Sequence, residues 1–140
     1  MNPTRYALWA AGTAVFLQIL SMAIAAAFDF DISNAGMFII PPMAAAMIEG
    51  QKWVREHKAM PETRDMWRWS RSGAVILFGV YLILFVLFGM VVPEVRAALS
   101  QPAVAGILVV FLILLCAFSI VINRWFLGIA SRSEFARLGK

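Results

Sequence analysis

Residues 73–92 read GAVILFGVYLILFVLFGMVV, an unbroken apolar run without a charged residue. A helix rises 1.5 Å per residue, so twenty residues reach about 30 Å, the thickness of the hydrocarbon layer of a bilayer. Backbone polar groups inside lipid must be bonded within their own segment, and a helix achieves this. The stretch therefore predicts a membrane-spanning helix.

Three other apolar runs accompany this one along the chain. We predict four spans at about residues 6–28, 34–54, 72–92 and 103–127, with a cytoplasmic loop at 55–71 and a cytoplasmic tail at 128–140. The first run exceeds 20 residues, so we expect it to be retained rather than removed as a signal peptide. Short connections favour antiparallel neighbours. The expected fold is all-α, a single membrane domain of residues 1–140 that forms a four-helix bundle of two antiparallel hairpins.

The second span is the shortest of the four. Its continuous apolar part, residues 35–48, has about 14 residues, a length that also suits a re-entrant segment. A full span is favoured because the chain must return the basic block at residues 52–71 to the side of the N-terminus. Pro41 and Pro42 remove two backbone donors from this span, so we expect a helix kink that is packed against neighbouring helices.

Composition agrees with a membrane protein. The chain has 140 residues, 62% of them hydrophobic, and a mean hydropathy of +0.82, which is more apolar surface than a soluble core of this size can bury. The net charge of +4 collects at one side, where it suits anionic headgroups better than nucleic acid. The single cysteine, Cys116, lies in the fourth span, so it cannot form an intrachain disulfide.

Basic residues are divided unequally between the two sides. With the N-terminus in the cytoplasm, eleven of the twelve Lys and Arg residues lie inside and only Arg96 lies outside. Positive charge in short loops resists translocation, so we predict that both termini are cytoplasmic. The tryptophans all fall near the inner boundary, as expected for indole rings at the headgroup layer: Trp9, Trp53, Trp67, Trp69 and Trp125.

A row of arginines precedes the third span. Arg64, Arg68 and Arg71 recur at i, i+4 and i+7, and Trp67 and Trp69 flank them. Guanidinium groups at headgroup depth can hold phosphate oxygens in pairs, which predicts an anionic-lipid contact. The alternative is an ordinary topogenic anchor that holds no defined lipid.

Glu49 is the acidic residue that falls within a predicted span. A carboxylate there is costly unless it is partnered, neutral or faces water, so it marks a candidate intramembrane polar site. Gln18 in the first span and Asn123 in the fourth are the expected hydrogen-bond partners. Alternatively, Glu49 reaches Lys52 or Arg71 as part of the cytoplasmic charge network.

Catalytic and metal-binding patterns are missing from the sequence. His57 is the only histidine, and there is no second one for a metal site, no phosphate-binding glycine loop and no CxxC pair. We expect no catalytic residue, no metal and no cofactor.

One segment resembles a known family. Residues 49–57 read EGQKWVREH, and Pro61 and Asp65 follow. The segment is similar to the signature of the ABZJ-type family of small uncharacterised four-helix bacterial inner-membrane proteins. The resemblance implies a bacterial cytoplasmic membrane and a four-helix fold, and it implies no activity.

These observations leave two functions open. The first is a non-catalytic accessory or scaffold subunit of a membrane complex, with anionic lipids and other membrane subunits, or a second copy of the chain, as partners. The second is a minimal oligomeric transporter or channel in which Glu49 is a titrating gate. A wet cavity between helices at Glu49 favours transport, whereas a surface salt-bridge network favours the scaffold.

The charge distribution predicts the accessibility of single cysteines. Cysteines at Asp31 and Ala97 should react with an impermeant thiol reagent added outside intact cells, whereas cysteines at Ala59 and Ser133 should not. Labelling at Ala59 from outside would reverse the orientation.

Overall fold

The structure, a computed structural model, describes residues 1–28 and 36–139. Over these residues the chain forms five helices and no strand: α1 Pro3–Phe28, α2 Gly36–His57, α3 Thr63–Val91, α4 Pro93–Leu99 and α5 Pro102–Leu138. The predicted all-α class is confirmed for this part of the chain. The predicted start of the second span at Asn34 lies outside the described residues.

Three of these helices, α1, α3 and α5, are long and apolar enough to cross a membrane. The described chain is accordingly that of a multi-pass membrane protein. Helix α2 does not belong to this set. It has 22 residues, but Pro41 and Pro42 interrupt its apolar half and the segment from Glu49 to His57 is largely polar.

The four long helices pack side by side. Helix α1 lies against α2 and α3, and α5 lies against the other sides of α2 and α3. Contacts near both ends show that α1 and α2 run antiparallel, as do α3 and α5. The buried apolar centre is formed by residues from all four: Tyr6, Ala10, Ala45, Leu77, Tyr81, Leu112 and Cys116.

Helix α2 is the long helix most enclosed by protein. Three pairs recur every four residues along one face and are buried: Pro41 with Pro42, Ala45 with Ala46, and Glu49 with Gly50. By contrast, α1 buries only Tyr6, Ala10 and Ser21. A helix that faces protein does not need the apolar circumference of one that faces lipid. This explains why α2 is the least hydrophobic of the four.

Both prolines lie within α2, which is assigned as one continuous helix from Gly36 to His57. Each proline side chain is almost fully buried, so the packing around Pro41 and Pro42 agrees with the sequence analysis. The predicted kink at these two residues stays a prediction.

Helices α2 and α5 approach each other closely at Gly50. A Cβ at this position would lie 2.9 Å from the carbonyl oxygen of Leu127 and 3.4 Å from the Cβ of Ala130. The hydroxyl of Ser131 donates to the carbonyl of Gly50 at 3.4 Å. Ala46 and Gly50 are small residues four positions apart, and both are buried within the packing of this one chain.

Two segments outside the predicted spans are helical. The stretch after Pro93 forms the short helix α4, because proline at a first helical position is already suited to begin a helix. The predicted tail at 128–140 continues α5 to Leu138 and packs back onto the molecule, since Ser131 and Glu134 are buried. Helix α5 has 37 residues and is about 55 Å long, which exceeds the hydrocarbon thickness.

We expect Gly50→Ala to destabilise the protein by about 1–3 kcal/mol, because the new methyl group would overlap a backbone carbonyl that cannot move aside freely. Unfolding by denaturing detergent, followed by circular dichroism, measures this change. Gly79→Ala is the matched control, since a Cβ at Gly79 in α3 meets no atom within 4 Å. Equal stability of the two variants would contradict the close packing at Gly50.

Candidate functional site

Glu49 forms an ion pair with Arg5. The Nε of Arg5 donates to one carboxylate oxygen of Glu49, and its Nη2 donates to the other at 3.1 Å. The backbone N–H of Asn2 donates to the same oxygen as Nη2, at 2.9 Å. Because the Glu49 side chain is only 1% exposed and that of Arg5 is 22% exposed, this is a largely buried ion pair.

The position of this pair at the start of α1 adds to its strength. The first N–H groups of a helix have no partner within the helix and form the positive end of its dipole. The Glu49 carboxylate accepts from the N–H of Asn2, directly before α1. The Asn2 side chain also accepts from the N–H of Arg5 at 3.2 Å. Glu49 thus neutralises both a guanidinium and a helix terminus.

The expected partners of Glu49 differ from the observed ones. The sequence analysis named Gln18 and Asn123 as hydrogen-bond partners, or Lys52 and Arg71 as cations, and none of these bonds to Glu49 in the described residues. A signal for Arg5 was present in the sequence. In an antiparallel hairpin the start of α1 and the end of α2 lie at the same depth, and Arg5 is the only cation at that start.

Asn123 lies in a neighbouring buried layer. The hydroxyl of Tyr6 donates to its Oδ1 at 2.9 Å, and both side chains are 1% exposed. Gly73 makes this contact possible, since a Cβ there would lie 3.0 Å from Asn123 Nδ2 and 3.1 Å from Tyr6 Cζ. Nδ2 itself has no hydrogen-bond partner among the described residues. Since Arg5 and Tyr6 are consecutive, α1 connects Glu49 to Asn123.

Gln18 is not part of this cluster. It lies 13 residues beyond Arg5 on α1, about 20 Å along the helix. There it lines a mostly apolar cavity of about 450 Å³ together with Phe38 and Tyr81. The structure therefore brings two of the three predicted polar residues to one end of the molecule and separates the third.

A second ion pair at this end was not predicted. Arg55 Nε donates to Glu134 at 2.7 Å, and Arg137 reaches the other carboxylate oxygen of Glu134 at 3.5 Å. This pair joins the end of α2 to the last turns of α5. The sequence predicts a cytoplasmic tail around Glu134, and a single sequence offers no indication that this segment continues α5 and contacts α2. We call the end that carries Glu49 and Glu134 the polar end.

The structure separates Trp69 from the other residues of the predicted lipid contact. Arg64, Arg68 and Arg71 are all exposed on α3, and Trp67 is 41% exposed between them. Arg68 pairs with Asp65 at 3.3 Å. Trp69 turns away from the row and lies 5.7 Å from the ring of Trp53, which in turn stacks on His57.

His57 and Cys116, two residues with reactive side chains, lie apart in the described part of the chain. No group of three or more His, Cys, Asp or Glu residues within 1–28 and 36–139 is arranged to hold a metal ion. His57 Nδ1 lies 2.9 Å from the carbonyl oxygen of Trp53, at the exposed end of α2. Cys116 is buried in the apolar centre.

Comparisons with known proteins add no relative. No family model matches the chain, and no curated protein or solved structure matches it. The resemblance of the segment from Glu49 to Asp65 to the ABZJ-type family stays a prediction.

We expect Glu49→Ala to destabilise the protein by about 3 kcal/mol, because it leaves Arg5 largely buried without its carboxylate. This exceeds the cost of about 1 kcal/mol that an exposed ion pair would give. Detergent-induced unfolding measures the difference. Glu62→Ala is the control, since Glu62 is exposed at the start of α3 and caps no N–H group. A loss below 1 kcal/mol at Glu49 would contradict the structural role of the pair.

Proposed function

We propose that this chain is a small integral membrane protein without catalytic activity that acts as an accessory or scaffold subunit of a membrane complex. The proposal includes four spans, with α2 as the fourth, and both termini in the cytoplasm of a bacterial inner membrane. The observation that carries it is the state of Glu49, which is buried and ion-paired with Arg5.

A titrating gate needs a carboxylate that water or an ion can reach. Glu49 is only 1% exposed, and it lines neither the cavity beside Gln18 nor the open one beside Arg5 and Trp9. Its carboxylate oxygens already accept hydrogen bonds from Arg5 and from the N–H of Asn2. Both features favour a structural role for Glu49 over a transport role.

The proposed orientation rests on the distribution of positive charge, and the proposed fourth span rests on the length of α2. The polar end collects the cations of α1, α2 and α5, and the positive-inside rule assigns such an end to the cytoplasm. Helix α2 has 22 residues, about 33 Å, which is enough to cross the hydrocarbon layer. Its buried face reduces the apolar surface that it must offer to lipid.

The outer surface of the protein suits lipid or another membrane subunit. Large apolar side chains on α1, α3 and α5 are widely exposed, among them Phe16, Val75 and Leu114. Such side chains contact acyl chains or a partner helix in a bilayer. A scaffold subunit uses this surface for assembly, and it requires no reactive group of its own.

Proteoliposomes test the transport alternative directly. With a proton gradient imposed and a pH-sensitive dye inside, the protein should give no flux above that of protein-free vesicles, since Glu49 is buried and ion-paired with Arg5. Glu49→Gln should behave like the wild type. A pH-dependent flux that Glu49→Gln abolishes, while helicity is retained, would favour the transporter.

The scaffold role predicts a defined partner. Cross-linking in native membranes, followed by purification in mild detergent and mass spectrometry, should recover a membrane protein in a fixed molar ratio to this chain. A chain recovered only as a monomer, from membranes in which it is abundant, would contradict the role.

A further inference from the structure

Arg124 on α5 is a half-buried cation without a carboxylate partner in the part of the chain that the structure describes. Its Nε is buried and has no hydrogen-bond partner. Its Nη1 lies 3.5 Å from the sulfur of Met66, which is a weak acceptor. The guanidinium lies 5.9 Å from the centre of the Trp67 ring. The protein thus positions this group well and leaves most of its donors free.

An arrangement of this kind favours an anionic ligand. A guanidinium has five N–H donors in a planar fork that matches the oxygens of a phosphate or a carboxylate. Withdrawing a charge from water without a partner is costly. The indole face of Trp67 offsets only part of that cost, because a cation–π contact contributes about 0.5–2 kcal/mol.

The depth of Arg124 in the membrane indicates that the anion is a lipid headgroup. It lies 22 residues after Pro102, about 33 Å along α5, which corresponds to the full hydrocarbon thickness. Nη1 would lie 3.2 Å from a Cβ at Gly128, so the side chain extends toward the polar end. Val121 and Trp125 on either side of Arg124 are widely exposed and offer apolar contacts to acyl chains.

Neighbouring residues on α3 add positive charge. Arg64 and Arg71 lie one turn before and one turn after Trp67, both exposed and without a carboxylate within 4.0 Å in the described residues. The surface between α3 and α5 therefore combines one half-buried guanidinium with two exposed ones, around a tryptophan.

We propose that Arg124 and Trp67, supported by Arg64 and Arg71, bind the phosphate group of an anionic phospholipid at the seam between α3 and α5. Arg124 supplies the donors of its Nη groups, and Trp67 holds its guanidinium in place. This site depends on the membrane placement that the proposed function assumes. The lipid contact then lies at the α3–α5 seam, and Trp69 is not part of it.

Native mass spectrometry of the full chain from nanodiscs tests the site. The nanodiscs contain either phosphatidylcholine alone or equal parts of phosphatidylcholine and phosphatidylglycerol. Arg124→Gln should retain phosphatidylglycerol about fivefold less than the wild type, the effect of one cation at the headgroup layer. Arg124→Lys should fall between the two, since it keeps the charge and loses the planar fork.

Arg132→Gln is the matched control, because Arg132 is an exposed arginine on the same helix. It should retain phosphatidylglycerol like the wild type, and no variant should change the retention of phosphatidylcholine. Trp67→Leu gives a second test if Arg124→Gln does not fold, and it should also weaken retention.

Three outcomes would overturn the proposal. One is equal retention of phosphatidylglycerol by Arg124→Gln and Arg132→Gln. Another is displacement of the lipid by glycerol phosphate added in water, which would indicate a site for a soluble anion. The third is unchanged retention in a folded Trp67→Leu. A wild-type chain that fails to insert into nanodiscs would contradict the proposed function instead.

Discussion

A carboxylate withdrawn from water requires a positive partner close to it. At the polar end of this protein, the requirement of Glu49 for such a partner holds the start of α1 against α2. Glu49 can be satisfied where it lies only if Arg5 and the first backbone donors of α1 reach it. Once Arg5 is fixed, the next residue, Tyr6, meets Asn123 on α5. Gly73 on α3 leaves the room for this contact. All four long helices are thus tied together within about two turns.

Helix α2 differs from the other long helices because of its surroundings. Its buried small residues and prolines contact protein along one face. At Gly50 the helix lies so close to α5 that an added Cβ would be 2.9 Å from the carbonyl oxygen of Leu127. The enclosed position of α2 agrees with the small residues and prolines on its buried face, whereas its ionisable residues other than Glu49 are exposed at its end. Helices α1, α3 and α5 expose most of their apolar side chains and have the composition of lipid-facing helices.

Much of the fold follows from the sequence because it depends on local patterns. Apolar run length predicts α1, α3 and α5, whereas the short helix α4 was not predicted. The partner of Glu49 depends instead on helix pairing. Arg5 is the one basic side chain at the start of α1, but Lys52 and Arg71 lie at a similar depth, and only the tertiary packing determines which of them meets Glu49. The ion pair between Arg55 and Glu134 is a tertiary contact of the same kind. Helical geometry alone places Trp69 on a different face of α3 from the arginine row. The contact of Trp69 with Trp53 on α2 is a tertiary contact.

The most direct measurement of the central claim is a double-mutant cycle on Arg5 and Glu49, with Arg5→Met, Glu49→Leu and the combined variant unfolded in the same detergent mixture. The cycle isolates the energy that couples the two side chains. A buried pair on which the polar end depends should give a coupling of about 2 kcal/mol or more, with the double variant more stable than either single one. Additive effects, with a coupling within about 0.5 kcal/mol of zero, would contradict it.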